Sequence, residues 1–407
     1  MSASPKVLLI VTQDTKREEA QFLRQELEAA GCGVIHLDAS VRRTVGGAEI
    51  SPDDIAEAAG STMDAVRDLK HEGKCLEVMM QGSLKLVLDL HRDGGFSGVL
   101  GLGGSLGTSL GTFIMRALPY GVPKLMVSTM ASGFTTPFVG VKDIMMANAV
   151  TDVSGLNSIS REIYRNAALA MAGMAKGYEL ARPATKPLVL IGGLGTTESC
   201  TARVRKSLEA EGFEVMAFHT SGAGGATLDT IAADRPVAAV LDFSLTEIID
   251  RQQGGLCAGS PDRSKAALAR GVTTIFAPGN ADFLVGGPIE QSKTQFPGRR
   301  YHVHNPALTA VRTNMDDLRM LADHVADLAR DAKGPVKFFV PLKGFSNHDS
   351  PTGYLHDLSI PPQFADYVKS VMPANVEVRI FDCHMNDPEF ADAAVEVAKQ
   401  AARAGVA

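Results

Sequence analysis

Tryptophan is missing from the 407 residues, and aromatic residues of all kinds make up only 6% of them. So few large rings leave little from which to build base-stacking platforms. Positive charge is not in excess either: 40 Lys and Arg face 46 Asp and Glu, for a formal net charge of −6. No basic block stands out and basic residues do not interleave with aromatics, so no nucleic-acid surface is expected. The five cysteines, Cys32, Cys75, Cys200, Cys257 and Cys383, are scattered, and none forms a CxxC. That pattern excludes a disulfide framework and suits free, mostly buried thiols in a reducing, cytoplasmic setting. Apolar runs are broken by glycine or charge well before the roughly 18 residues of a membrane span. Met1 to Leu9 turns polar too soon to read as a secretory leader.

What is present is a globular composition, 45% hydrophobic and 21% charged, with 40 glycines gathered in short clusters. Strand-like runs alternate with helical ones. Val7 to Val11, Gly33 to Leu37, Gly98 to Leu102 and Lys124 to Ser128 read as strands. Glu18 to Ala30, Lys74 to Asp93, Leu106 to Leu118 and Ile159 to Tyr178 read as helices, with residues 39–60 irregular. Around Arg182–Pro187 the periodicity stops, and a second series begins. Its strands are Leu188–Ile191, Phe213–Phe218, Val237–Leu241, Thr273–Phe276, Val336–Pro341 and Val376–Phe381, with helices between them. The fold class expected is α/β: two Rossmann-like domains, each a mainly parallel sheet flanked by helices. The N-terminal, nucleotide-binding domain spans 1–182 and the C-terminal α/β domain 183–407. Both halves open with strand, Thr-rich turn and helix, and both carry a glycine run after a strand. This fits a distant duplication, or simply the grammar that α/β domains share.

The sharpest local signal is Gly101-Leu102-Gly103-Gly104-Ser105-Leu106-Gly107-Thr108, between an apolar strand and a helix. There the first helical N–H groups lack partners, the helix dipole favours an anion, and glycines let a phosphate approach the backbone. Ser105, Thr108 and Ser109 can add hydroxyl donors. The run lacks the Gly-Lys-Ser/Thr of a Walker loop, and Gly107 overshoots the dinucleotide spacing by one residue. The next strand delivers Thr129 and Ser132, and the first delivers Asp14, Thr15 and Lys16, all to the same sheet edge. Lys16 can pair with a phosphate, and Asp14 can hold a metal ion or a ribose; helix capping by Asp14 or Thr15 is the competing role. Arg116 is the cationic candidate on the following helix. In the second half, Thr220–Gly225 and Pro278–Asp282 are further turns that could hold an anion.

Polar residues also gather after the strands of the second half. His302 and His304 alternate as on a strand and share a face, and Asp382 and His384 are expected to do the same. Together with His348 they can line a cleft and supply a divalent-metal site or an acid–base pair, with Asp242 and Asp349 as orienting carboxylates. A Ser346-His348-Asp349 triad can be drawn, but sequence neighbours rarely reach that geometry and no nucleophile elbow accompanies them.

Several separated stretches carry a family resemblance. They are Asp14-Thr15-Lys16, Gly101–Ser105, Leu118–Thr129, Asp152–Asn157 and His304-Asn305-Pro306. Over nearly the whole chain they resemble the ATP-binding domain family named after the tomato mosaic virus resistance protein. The resemblance implies two Rossmann-like subdomains, a dimer, and ATP with Mg²⁺ at Gly103, Gly104, Ser105, Thr129 and the Asp14–Lys16 loop. Arg17 stands where the family often has glycine, and Glu198 where proline is common.

The leading expectation is therefore an ATP-binding, Mg-dependent homodimer that transfers a phosphoryl or adenylyl group to a small, acidic metabolite. The runner-up is a metabolic hydrolase or lyase that works between the domains through His304, His348, His384 and Asp382. A third is a non-catalytic interaction protein stabilised by its nucleotide.

Overall fold

The computed structural model describes residues 4–178 and 186–405. The chain divides into two compact units, residues 1–182 and 183–407. Most of the boundary stretch expected around Arg182–Pro187 lies outside the described residues.

The first unit runs β1 (Lys6–Ile10), α1 (Gln13–Ala29), β2 (Gly33–Leu37), α2 (Pro52–Ala58), α3 (Met63–Asp68), α4 (Glu72–Arg92), β3 (Gly98–Gly103), α5 (Ser105–Ala117), β4 (Lys124–Ser128), α6 (Thr136–Val139), β5 (Met145–Asn148) and α7 (Ser158–Gly177). Its five strands are all parallel, in the order β2-β1-β3-β4-β5. Helices cover both faces, so β3 and β4 are buried along their whole length and read as continuous apolar runs. One core layer gathers Leu9, Leu23, Leu100 and Tyr164 between the sheet and α1 with α7. The other gathers Leu8, Met79, Ile114 and Met126 on the opposite face.

The second unit runs β6 (Leu188–Gly193), α8 (Glu198–Ala210), β7 (Glu214–His219), α9 (Ala223–Asp234), β8 (Ala239–Asp242), α10 (Thr246–Gln253), α11 (Lys265–Ala269), β9 (Thr273–Phe276), β10 (Phe283–Gly286), α12 (Ile289–Gln295), β11 (Tyr301–Asn305), β12 (Leu308–Arg312), α13 (Met315–Arg330), β13 (Val336–Pro341), α14 (Ile360–Val371), β14 (Val376–Phe381) and α15 (Pro388–Ala404). Its main sheet is parallel and six-stranded, β7-β6-β8-β9-β13-β14. The second strand again lies outside the first, as in the first unit.

Local chemistry explains these elements. Helix α13 starts at Asn314, whose Oδ1 accepts from the Asp316 and Asp317 N–H groups while Asp317 Oδ2 accepts from the Asn314 N–H. From there Leu318, Leu321, Ala322, Val325 and Ala329 form one buried stripe at helical spacing.

Four features depart from the expected pattern. Two short helices, α2 and α3, occupy the stretch from residue 52 to 68. The first sheet carries a fifth, half-exposed strand, β5. An antiparallel three-stranded sheet, β10-β12-β11, is inserted between β9 and β13. Finally, β14 ends at Phe381, so Asp382 and His384 do not share a strand face. No helix among the described residues is long and apolar enough to cross a membrane.

Candidate functional site

In the first unit β1 is flanked by β2 on one side and β3 on the other. Chain connections therefore leave β1 in opposite directions, and a crevice opens past the C-terminal ends of β1 and β3. A cleft of about 260 Å³ lies there, walled by the Thr12–Lys16 loop, Val41 and Arg42, Glu72 and Leu76, and the start of α5.

The turn into α5 requires glycine. A Cβ on Gly103 would lie 2.7 Å from the Gly107 Cα, so the strand can reach the helix only without a side chain there. Gly104 is the N-cap, and no side chain caps the first turn, which carries no acidic residue. The N–H groups of Ser105, Leu106 and Gly107 have no partner inside the helix and carry its positive end. A Cβ on Gly104 would meet nothing closer than Thr129 Oγ1, at 4.0 Å, so the backbone stands open at this point.

The Thr12–Lys16 loop faces this turn. Thr12 follows the strand and is the N-cap of α1 with no side-chain capping bond, and Lys16 breaks the helix at φ −137° and ψ 40°. The Gln13 N–H donates to Asp38 Oδ1 at 2.9 Å, and the Asp14 N–H to Ser40 Oγ at 2.9 Å, which pins the loop to the end of β2. The Asp14 carboxylate accepts from the Arg42 N–H at 3.1 Å rather than capping its own helix. Lys16 Nζ donates to Thr15 Oγ1 at 3.2 Å.

Of the eight residues expected at a nucleotide, Asp14, Thr15, Lys16, Gly104 and Ser105 line the cleft. Gly103 lies at the end of β3, and Thr129 stands beside Gly104 outside the cleft wall. Ser132 is exposed and is not in the wall. Two hydroxyls of the glycine-rich run are committed elsewhere: Thr108 Oγ1 lies 2.6 Å from Ser128 Oγ in the core, and Ser109 Oγ donates to the Ser105 carbonyl. Arg116 is also withdrawn from the site, since its guanidinium donates to the Pro137 and Phe138 carbonyls and ties α6 to α5. Sequence reasoning missed Arg42 and Glu72, which pair across the mouth at 3.4 Å. The signal available was Arg42-Arg43 just after β2, at the same sheet edge as the glycine run.

Two glycine turns of the second unit, Thr220–Gly225 and Pro278–Asp282, are closed by the chain itself, whereas Gly195 of the run after β6 lines a cavity. The N–H groups of Gly222 and Gly225, at the start of α9, donate to Glu247 Oε1 at 2.6 and 3.0 Å. Arg263 then holds Glu247 Oε2 at 2.7 Å and Asp242 Oδ1 at 2.9 Å, all three side chains being buried. Burial alone would lower the Arg263 pKa, but Asp242, Asp229 and Glu247 outweigh it and keep the guanidinium charged. Asp242 is thus part of an internal ion cluster rather than an orienting carboxylate for a histidine. The turn at Pro278–Asp282 is likewise internal: Asn280 accepts from Thr197 Oγ1 at 3.2 Å and donates to Thr196 Oγ1.

The four polar residues expected to form one cluster divide between two surroundings. His304 and His348 line a cavity at the C-terminal ends of β6 and β7. His384 is buried, with Nε2 donating to the Ser346 carbonyl at 3.0 Å and Nδ1 accepting from the Asn386 N–H at 3.1 Å, so both ring nitrogens hold backbone. Asp382 is exposed and pairs with Lys343 at 3.2 Å. The Ser346-His348-Asp349 arrangement is not a triad: Ser346 Oγ donates to Asp282 Oδ2 at 2.7 Å, and Asp349 faces Arg312. Among the described residues no three His, Cys, Asp or Glu side chains are grouped to hold a metal ion.

Two family models cover the chain: the N-terminal domain of the uncharacterised protein family UPF0261 over residues 5–180, and the C-terminal domain of the same family over residues 186–402. The chain is similar to a UPF0261 protein of Clostridium tetani, 36% identical over 95% of this chain and 96% of that protein. It is also similar to the ToMV resistance protein Tm-1 of Solanum lycopersicum, 29% identical over 97% of this chain and 55% of the plant protein. A solved thioesterase domain from the curacin biosynthetic pathway matches at a TM-score of 0.26 and 12% identity, over 53% of this chain and 91% of that one, too remote to bear on function.

Proposed function

The chain belongs to the UPF0261 family, and on the geometry of its first unit we propose that it binds a phosphate-bearing small molecule, ATP with Mg²⁺, in the cleft past β1 and β3. The observation that supports this is the uncapped first turn of α5, free of acidic residues, which opens on a cleft whose other wall carries Lys16 and Arg42. Backbone N–H groups and two cations facing one space suit a polyanion. The Ser105 hydroxyl on one wall and the Thr15 hydroxyl on the other add neutral donors.

The residues present fit the nucleotide at its phosphates. The Ser105, Leu106 and Gly107 N–H groups would receive phosphate oxygens, with Lys16 Nζ as the mobile cation. For Mg²⁺ the cleft offers Asp14 as a carboxylate ligand, since Glu72 pairs with Arg42. A cation held by one carboxylate, phosphate oxygens and waters is an ordinary Mg²⁺ environment. Transfer of a phosphoryl or adenylyl group to a small acidic metabolite is the reaction class we propose. The bound metal would supply charge neutralisation, and the chain would supply orientation and hydrogen-bond donors. With Arg116 committed to α6, cationic support for developing charge falls to Lys16 and Arg42. We place the protein in the cytoplasm as a homodimer. The hydrolase or lyase reading has less support, because His384 and Asp382 do not join His304 and His348.

Calorimetric titration with ATP, with and without Mg²⁺, tests the proposal. The expected result is one site per chain with micromolar affinity that strengthens with Mg²⁺. Absence of a binding isotherm under both conditions would overturn it.

A further inference from the structure

The second unit holds a cavity of about 330 Å³ at the C-terminal ends of β6 and β7, within the size range of small-molecule sites. Its apolar side is made by Leu194, Phe283, Val285 and Ala310, which pack with the buried Leu355 in one small cluster. Its polar side comes from Thr196, His219, Ser221, His304 and His348. Lysine, arginine, aspartate and glutamate are all missing from the lining. A charged ligand would leave water here without a countercharge, which is costly. The wall also includes Thr309, whose hydroxyl is buried with no hydrogen-bond partner among the described residues.

The fold holds His348 firmly at this wall. Its backbone N–H donates to Ser346 Oγ at 3.1 Å, and Ser346 is anchored on Asp282. Its carbonyl accepts from the Leu355 N–H at 2.9 Å. The ring stands edge-on to Phe283 at 5.2 Å and is backed by His302 at 4.9 Å, which stacks on Tyr354 at 4.3 Å. Among the described residues, no protein group hydrogen-bonds the imidazole nitrogens. Burial, followed by the neighbouring His302 and His304, depresses the His348 pKa to about 4. At neutral pH the ring is therefore uncharged, with one nitrogen able to accept and the other to donate.

We propose that this cavity is a second ligand site, separate from the cleft of the first unit, which takes a small, uncharged, hydroxyl-bearing molecule with a hydrocarbon body and hydrogen-bonds its hydroxyl to His348. The apolar cluster receives the hydrocarbon, and the hydroxyls of Thr196 and Ser221 lie on the polar side. A phosphate or carboxylate is disfavoured because the lining offers no cation.

The test is a titration of the full chain with cyclohexanol, and separately with cyclohexanecarboxylate, followed by the ring-proton NMR signals of His348. Cyclohexanol is expected to shift them saturably at millimolar concentration, and the carboxylate to bind at least tenfold more weakly. Leu308→Trp, at the half-buried edge of the cavity, is expected to abolish the shift while the protein still melts cooperatively and binds ATP as before. His348→Phe, followed by the ring signals of His304, is expected to weaken cyclohexanol severalfold. No saturable shift in the native chain would overturn the proposal. So would a carboxylate that binds as tightly as the alcohol, or a shift that survives in folded Leu308→Trp.

Discussion

In the first unit, the helix after β3 begins with an uncapped turn that faces Lys16 and Arg42 across a cleft. In the second, the helix after β7 begins with Gly222 and Gly225 donating to the carboxylate of Glu247, which Arg263 holds in turn. Both are glycine-led strand-to-helix turns at the C-terminal edge of a sheet whose second strand lies outside its first. A helix N-terminus carries the same partial positive charge in either place. Supplied with an internal carboxylate, it becomes part of a buried ion network; left open, as in the first unit, its N–H groups face the cleft where we propose that an external anion binds. The cavities differ in the same sense. The cleft of the first unit is lined by two cations and two carboxylates, whereas the cavity of the second has no formally charged side chain of the Lys, Arg, Asp or Glu type.

The largest effect is expected where the second unit closes its own helix end. Arg263→Met would strand Glu247 and Asp242 in the core, and should destabilise this unit by about 3–5 kcal/mol in denaturant unfolding. A loss below about 1 kcal/mol would mean that the carboxylates do not depend on the guanidinium, and the contrast with the first unit would weaken.

Gly104→Val attacks the open turn. At φ −75° the valine backbone is unstrained, and beyond its chain neighbours its Cβ meets no protein atom within 4 Å except Thr129 Oγ1. ATP affinity should fall at least 100-fold, about 2.7 kcal/mol, with the melting temperature nearly unchanged. Calorimetry showing native affinity in this variant would remove the nucleotide from the cleft.

The pH dependence of stability tests the uncharged lining of the second unit's cavity. With a folded pKa of about 4 against roughly 6.5 in the unfolded chain, His348 contributes stability that is present above pH ~6.5. That contribution is lost as pH falls through the folded value. Asp229 and Asp250 run the other way: burial pushes both carboxyls up to about 7. Their contribution is present below the usual carboxylate pKa of about 4 and is lost as pH rises through the folded value. The difference between the native chain and His348→Phe isolates the imidazole. Below pH ~6.5 the native chain should lose stability more steeply than the variant, and parallel curves would show that the ring is not held neutral.

The smallest effect is expected at Asp382. Its partner Lys343 is exposed and so is Asp382 itself, so Asp382→Asn should change unfolding free energy by no more than about 0.5 kcal/mol. It should also leave cyclohexanol binding unchanged. A clear loss of binding would restore this residue to the histidine cluster.

The parallel strands were legible because those buried on both faces by helices must be continuous apolar runs. Lys124–Ser128, Thr273–Phe276 and Val336–Pro341 are found with the bounds that pattern predicts, and the partly buried edge strands Gly33–Leu37 and Val376–Phe381 are found through their β-branched residues instead. Strand β5 escaped because Met145–Asn148 lies at an edge, is half exposed and carries no β-branched residue, so neither burial nor propensity marks it. The antiparallel sheet was hidden for a similar reason: Tyr301–Asn305 is mostly polar and exposed, and only the alternation of His302 and His304 betrayed a strand. In the cleft, glycines and the Asp14–Lys16 loop could be named because backbone geometry at a strand-to-helix turn limits which residues fit. The pairing of Arg42 with Glu72 could not, since they come from a loop and from a helix 30 residues apart that only folding brings to the same mouth.

The sequence by itself determined the succession of strands and helices and the places where the backbone must turn on glycine, because burial and dihedral preference act over a few neighbouring residues. Only the tertiary structure decided which glycine turns stay open. Glu247 reaches Gly222 across 25 positions, and Arg263 reaches Asp242 across 21. Whether a carboxylate arrives at a helix N-terminus depends on how the crossovers stack the strands, and no local pattern in the chain encodes that distance.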